Sequence, residues 1–93
     1  MPPSNTPRYT VVIDQAAQKS MRRLPRDLQE RLGRAILVLE TNPRPNNSRQ
    51  LEGFRNTYRL RVGDWRIIYT VEDDRLVITV IRVGSRGDIY RGL

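Results

Sequence analysis

Fourteen residues, Tyr58 to Val71 (YRLRVGDWRIIYTV), constrain the fold more than any other part of this chain. Gly63-Asp64 is a two-residue turn of the Gly-X kind, which favours a type II′ hairpin. With those residues as the loop, Val62 lies opposite Trp65 and Arg61 lies opposite Arg66. Side chains on a strand alternate between faces with a period of two. One face then carries Tyr58, Leu60, Val62, Trp65, Ile67, Tyr69 and Val71. It is apolar throughout and must be buried. The other face carries Thr57, Arg59, Arg61, Arg66, Ile68 and Thr70. Directly opposite residues have Cβ atoms about 4.5–5.5 Å apart, and like charges placed there are destabilising. Arg59 and Arg61 follow each other on one strand face at about 6–7 Å. Their guanidinium groups and that of Arg66 converge with no carboxylate in the same stretch of that face. Arginines on a solvated face can flex apart, but a merely solvated face would tolerate mixed signs. This one has none, and such a set suits binding or cleaving something phosphorylated.

The chain has no histidine and no cysteine. The usual protein acid, base, nucleophile and soft metal ligand are therefore absent, as is any disulfide framework. Asp73, Asp74 and Asp88 are too scattered for a metal site, so neither a metal nor a cofactor is expected. A chain of 93 residues allows one small domain with a modest core. Its 17 basic residues against 10 acidic ones give a net charge of +7, which implies an acidic partner: nucleic acid, ribosomal RNA or an acidic protein. Only Lys19 is lysine. Arginine's planar fork suits phosphate, although a GC-rich genome produces the same bias. No stretch approaches the roughly 18 apolar residues of a membrane span, and no signal-peptide core opens the chain. A cytoplasmic location is the default expectation.

The expected organisation is a flexible, proline-rich leader over 1–8 and a single domain over 9–93. Tyr9–Ile13 is a β-branched strand. Asp14 can cap a first helix with Ala17, Met21 and Leu24 on one face. Leu24-Pro25 breaks it, and Pro25 suits the first turn of a second helix, whose apolar stripe is Leu28, Leu32, Ala35, Ile36 and Leu39. Arg22, Arg23, Arg26, Arg31 and Arg34 lie off these stripes and read as solvated surface, with an RNA contact as the alternative. Thr41–Ser48 is a loop by composition. Leu51 and Phe54 anchor the chain before the hairpin. Asp73-Asp74 makes the next turn, and Leu76–Val83 is the last strand. The class is α+β: an N-terminal strand and a two-helix hairpin packed on an antiparallel sheet of about four strands. Trp65 reads as core packing, with Tyr58 and Tyr69 at the core edge. Arg82 falls on the core-facing parity, where stacking on Trp65 would make it structural.

Three segments, in order, resemble the RelE/ParE superfamily of toxin–antitoxin toxins, and within it the RelE-like messenger-RNA endoribonucleases. They are the strand YTVVI (9–13) before two helices, then QLEGFRNTYRLRVGDWRIIYTV (50–71), then VITVIRVGSRGDIY (77–90). The resemblance spans residues 9 to 90. The element order and Arg66 after the hairpin turn are shared widely across that superfamily. Basic residues at both 59 and 61, with Arg86 and Tyr90, are more specific to the nucleases.

The resemblance implies cleavage of messenger RNA in the ribosomal A site, and a RelB-like antitoxin from an adjacent gene as partner. Contact with operator DNA would run only through that antitoxin. It implies catalytic roles for Arg59, Arg61, Arg66, Arg86 and Tyr90. Arg59 and Arg61 would bind the scissile phosphate and its neighbours. Arg66 and Arg86 would stabilise the transition state, with Arg86 nearest the leaving oxygen. Tyr90 would stack on a base, orient the 2′-hydroxyl or act as base. A phenol with pKa near 10 is mostly protonated at neutral pH, and arginine, above about 12, is no base. Attack by RNA's own 2′-hydroxyl needs no metal, and it does need charge stabilisation, which arginine supplies. Arginine replaces the family's frequent lysine at 59 and 61, so no role requiring a lysine to give up its proton carries over. Gly84 and Gly87 beside Arg86 leave room for a ligand backbone. Two other functions remain open: a ParE-like inhibitor of DNA gyrase, and a catalytically silent co-repressor that binds its antitoxin.

Overall fold

The structure, a computed structural model, describes residues 8–86 and residue 89. The expected leader, apart from Arg8, lies outside them. Strand β1 (Thr10–Ile13) is followed by helices α1 (Gln15–Arg22) and α2 (Arg26–Val38), then by β2 (Ser48–Gln50), β3 (Thr57–Val62), β4 (Trp65–Glu72) and β5 (Val77–Ser85). The strands form one five-stranded sheet in the order β1-β5-β4-β3-β2. Among the described residues no helix is long and apolar enough to cross a membrane.

The sheet departs from the expected antiparallel arrangement in two ways. β1 pairs with β5 in parallel, Thr10 beside Val77 and Ile13 beside Val80. Parallel neighbours need a crossover, and every other element lies between these two strands in sequence. The fifth strand is β2, a short edge strand in the stretch read as loop and its continuation, antiparallel to β3.

The central hairpin forms in the expected register, with Val62 opposite Trp65 and Arg61 opposite Arg66. Gly63 adopts φ +62°, as the first central position of a type II′ turn requires. A side chain there would also push aside the Arg31 guanidinium, which reaches over from α2. Asp14 sits at the N-cap of α1 and its carbonyl accepts the Gln18 N–H, but its carboxylate makes no capping bond. Pro25 starts α2.

The helices cover one sheet face. Ala17, Leu32, Ile36 and Leu39 meet Leu60, Ile67, Tyr69, Val71, Ile78, Val80 and Val83 in a single buried cluster, with Tyr58, Val62 and Trp65 packed at its margin. This is the face that alternation assigned to the core, and Trp65 is packing there. Tyr69 is fully buried rather than at the edge, yet its hydroxyl still reaches the Pro43 carbonyl at 2.7 Å. Phe54, expected to anchor the approach to β3, is exposed. Backbone bonds do that work instead: Leu51 N–H to Thr57 O at 2.8 Å and Val71 N–H to Asn56 O at 2.9 Å.

A β-bulge overturns the reading of Arg82. Tyr69 pairs with Val80 but Ile68 pairs with Arg82, which leaves Ile81 as the extra residue. Strand parity therefore flips after Ile81. Arg82 stands opposite Ile68 on the face away from the helices, not on the core side by Trp65. Its Nη1 donates to the Ile89 carbonyl at 3.1 Å. Ile89 packs on Gly84 and is buried, as is Ile68. Ile89 thus covers part of the second sheet face, and Gly84 lies beneath it rather than open to a ligand.

Candidate active site

Beside Ile89 the second face carries a hollow, and the arginines collect there. The hollow, of about 440 Å³, is lined by Asn46, Asn47, Arg49, Arg59, Arg61, Arg66 and Arg86. Four of the five candidate catalytic residues are therefore brought together. The fifth, Tyr90, lies outside the described residues, as does Gly87.

The sheet register produces this gathering. Arg49 on β2 is directly opposite Arg59 on β3, and Arg61 on β3 is directly opposite Arg66 on β4. Two like-charged pairs thus stand on adjacent rows of one face, and such pairs cost stability. Arg86 follows β5 and closes the hollow from the other side. No carboxylate lines it among the described residues.

The arginines differ in how they are held. Arg66 Nη1 donates to the carbonyls of Gly63 and Trp65, both at 2.9 Å. The turn therefore fixes that guanidinium, while its Nε and Nη2 donors remain for a ligand. Arg49, Arg61 and Arg86 make no ion pair or side-chain hydrogen bond among the described residues. The Arg61 backbone is nonetheless secured. Asn47 Nδ2 donates to the Arg61 carbonyl at 2.7 Å, and Arg61 N–H donates to the Asn47 carbonyl at 3.0 Å.

Three lining residues escaped the sequence reading: Asn46, Asn47 and Arg49. Nothing in SRQ (48–50) signals a strand, since it has no apolar alternation. What places Arg49 is the pairing of β2 with β3.

A second polar cluster secures the loop from which these residues come. Arg44 Nη2 meets Asp73 Oδ2 at 2.7 Å, and Arg44 Nε donates to the Tyr58 hydroxyl at 2.8 Å. The same guanidinium lies 5.1 Å from the Tyr58 ring centre, and Tyr58 stacks on Tyr69 at 5.7 Å. Tyr9 donates its hydroxyl to Asp73 Oδ1 at 2.6 Å. These contacts hold the Asp73 carboxyl below the usual carboxylate range, Arg44 being the larger cause. The same carboxylate raises Arg44 above the ordinary guanidinium range and is the main cause pushing the Tyr9 phenol up. Burial raises Tyr69.

Comparison with known proteins agrees with this architecture. A family model described as the ParE toxin of the type II toxin–antitoxin system, parDE, matches residues 11–90. The mRNA interferase toxin RelE of Escherichia coli (strain K12) is 31% identical over 80 residues, 84% of this chain and 83% of that protein. Among solved structures, the archaeal RelE–RelB complex from Pyrococcus horikoshii OT3 superposes with a TM-score of 0.77 at 32% identity, covering 85% of this chain and 96% of that one. The isolated E. coli RelE toxin gives 0.73 at 28% identity, covering 83% of each chain.

Proposed function

This chain belongs to the ParE toxin family of type II toxin–antitoxin systems, and we propose that it is a RelE-type mRNA interferase, an endoribonuclease that cuts messenger RNA in the ribosomal A site and so stops translation. The observation that carries this reading is the hollow where Arg59, Arg61, Arg66 and Arg86 converge with no carboxylate among its described lining residues.

The reaction is attack of a 2′-hydroxyl on its own 3′-phosphate. The new P–O2′ bond forms as the P–O5′ bond breaks, leaving a 2′,3′-cyclic phosphate and a 5′-hydroxyl. Negative charge grows on the non-bridging oxygens and on O5′. Arg59 and Arg61 bind the phosphate. Arg66, already fixed on the turn carbonyls, meets the growing charge with little reorganisation, and Arg86 acts at the leaving oxygen. Preorganised donors of this kind contribute about 2.7–4 kcal/mol each in favourable cases. Tyr90 stacks on a base and orients the 2′-hydroxyl. Proton handling is the weak point of an arginine set. Dependence on the ribosome follows, because the A site supplies in-line geometry that the protein need not. No metal takes part.

The partner is a RelB-like antitoxin, as the archaeal RelE–RelB complex exemplifies. It neutralises the basic face with a helix and acidic residues from an otherwise disordered segment. Operator DNA is reached only through it, and the toxin acts in the cytoplasm. The matching family model is that of ParE toxins, which favours a second reading: inhibition of DNA gyrase by binding alone.

The test is purified protein added to ribosomes programmed with a defined message, and to the same RNA free in solution. Cleavage of the bound message with little cutting of free RNA is expected. Equally fast cutting of naked RNA removes the ribosome dependence, and DNA breaks with intact messages in cells move the case to gyrase.

A further inference from the structure

The proposed roles leave one guanidinium of the hollow unused. Arg49 is exposed on β2, directly opposite Arg59, and lines the same cavity as Arg61, Arg66 and Arg86. It makes no ion pair or side-chain hydrogen bond among the described residues. Beside it, Asn46 lines the cavity with an amide that makes no hydrogen bond among those residues. The loop ahead of β2 is nevertheless tightly held. Ser48 gives both its N–H and its hydroxyl to the Pro45 carbonyl, at 2.9 and 2.7 Å. Asn47 is clamped to Arg61, and Arg44 to Asp73 and Tyr58. Backbone so well fixed presents Arg49 at a set place rather than on a wandering loop.

Across the sheet the order is Arg49 on β2, Arg59 and Arg61 on β3, Arg66 on β4, then Arg86 after β5. Two groups at the centre suffice for one phosphate. An RNA strand crossing this face must carry its next phosphate past the outer row. Arg49 stands directly opposite Arg59, so a phosphate bound in the outer row meets two positive charges at once. Resting on the nuclease reading above, we propose that Arg49 is a further substrate-binding residue. It holds the phosphate that flanks the scissile one on the side away from Arg86, with the Asn46 amide against the adjoining ribose or base.

The test uses a fluorescent single-stranded RNA oligonucleotide with 2′-O-methyl groups, which blocks the attacking hydroxyl. Its affinity for the full chain is measured as a function of salt. Each phosphate contact to a single strand contributes about 0.7 to the slope of log K against log salt. Arg49→Ala should lower that slope by about this amount and weaken binding about tenfold, equally for all sequences. Arg49→Lys should restore the slope, since a point charge still neutralises the phosphate. Arg34→Ala, on α2 across the other face, should change neither. All three variants should melt at or above the wild-type temperature, which separates contact from scaffolding. In ribosomal cleavage Arg49→Ala should raise KM while kcat stays within about twofold, as loss of uniform binding requires. An unchanged slope in Arg49→Ala, alongside a lowered slope in Arg59→Ala, overturns the assignment and leaves Arg49 to a protein partner, with the nuclease reading intact. A wild-type protein that neither cuts ribosome-bound message nor binds the oligonucleotide ends that reading and this inference with it.

Discussion

Two arginine regions flank β3, and they use the same residue type in opposite ways. At one end Arg44 has its charge answered by Asp73 at 2.7 Å, its Nε by Tyr58 and its flat face by the Tyr58 ring. In the hollow, Arg49 faces Arg59 and Arg61 faces Arg66, with no carboxylate among the described lining residues. The first region is complete in the free protein. In the second, Arg49, Arg61 and Arg86 have no acid alongside among the described residues, and an anion would supply one. Net charge alone does not reveal this, because it counts arginines without saying which of them meet an acid. What distinguishes them is whether the fold brings an acid alongside. Asp73 reaches Arg44 across 29 residues of sequence, while among the described residues no acid pairs with Arg61.

The sharpest contrast to break is that between the two faces of β3. Leu60→Ala removes a fully buried side chain one residue from two of the site arginines. It should cost about 2–5 kcal/mol through cavity formation, read as a lower melting temperature. An unchanged melting temperature would mean the face assignment is wrong. Arg86→Ala should do the reverse. The side chain is exposed, so stability should hold while cleavage of ribosome-bound message falls by about 3 kcal/mol, a hundredfold or more. Full toxicity in that variant would remove Arg86 from the site.

Smaller effects sharpen the other half of the comparison. Arg44→Ala should lower thermal stability only modestly, because the Arg44 and Asp73 side chains are 39% and 56% exposed and solvent screens the pair. It should nevertheless reduce cleavage, by loosening the loop that carries Asn46 and Asn47. Smaller still is the pH effect of Asp73. Its folded pKa is depressed, so its contribution is present above the unfolded carboxylate value and is lost as pH falls through the folded one. Acid melting of Asp73→Asn should therefore lack part of the wild-type decline below about pH 4. Curves that stay parallel throughout would show that the network carries no stability.

Much of this was legible in the sequence because it is written in local periodicity. Gly63-Asp64 set the hairpin register, alternation separated Leu60 and Ile67 from Arg59 and Arg66, and the helical stripes named Leu32 and Ile36. What was not legible depends on distant pairing. The parallel join of β1 to β5 has no local signature. The extra residue at Ile81 flips Arg82 to the face of Ile68, and nothing in VITVIRV marks a bulge there. β2 carries too few residues, all polar, to announce a strand, so Arg49 entered the site only through its register with Arg59. The Arg44 cluster joins residues from four separate stretches of chain. Arg59, Arg61, Arg66 and Arg86 were found as a group through the hairpin and the family resemblance, and their gathering around one hollow is the geometric content the fold adds.

The central claim is that the protein tolerates like-charge repulsion in the hollow for the sake of its substrate. Arg61→Glu tests it in a single sample by measuring melting temperature and ribosomal cleavage together. Glutamate opposite Arg66 turns a repulsive cross-strand pair into an attractive one, for a gain of about 0.2–1 kcal/mol, while it places a negative charge where phosphate must bind. The account predicts a melting temperature equal to or above the wild type with cleavage abolished. A variant that melts lower, or that still cuts the ribosome-bound message at the wild-type rate, would contradict it.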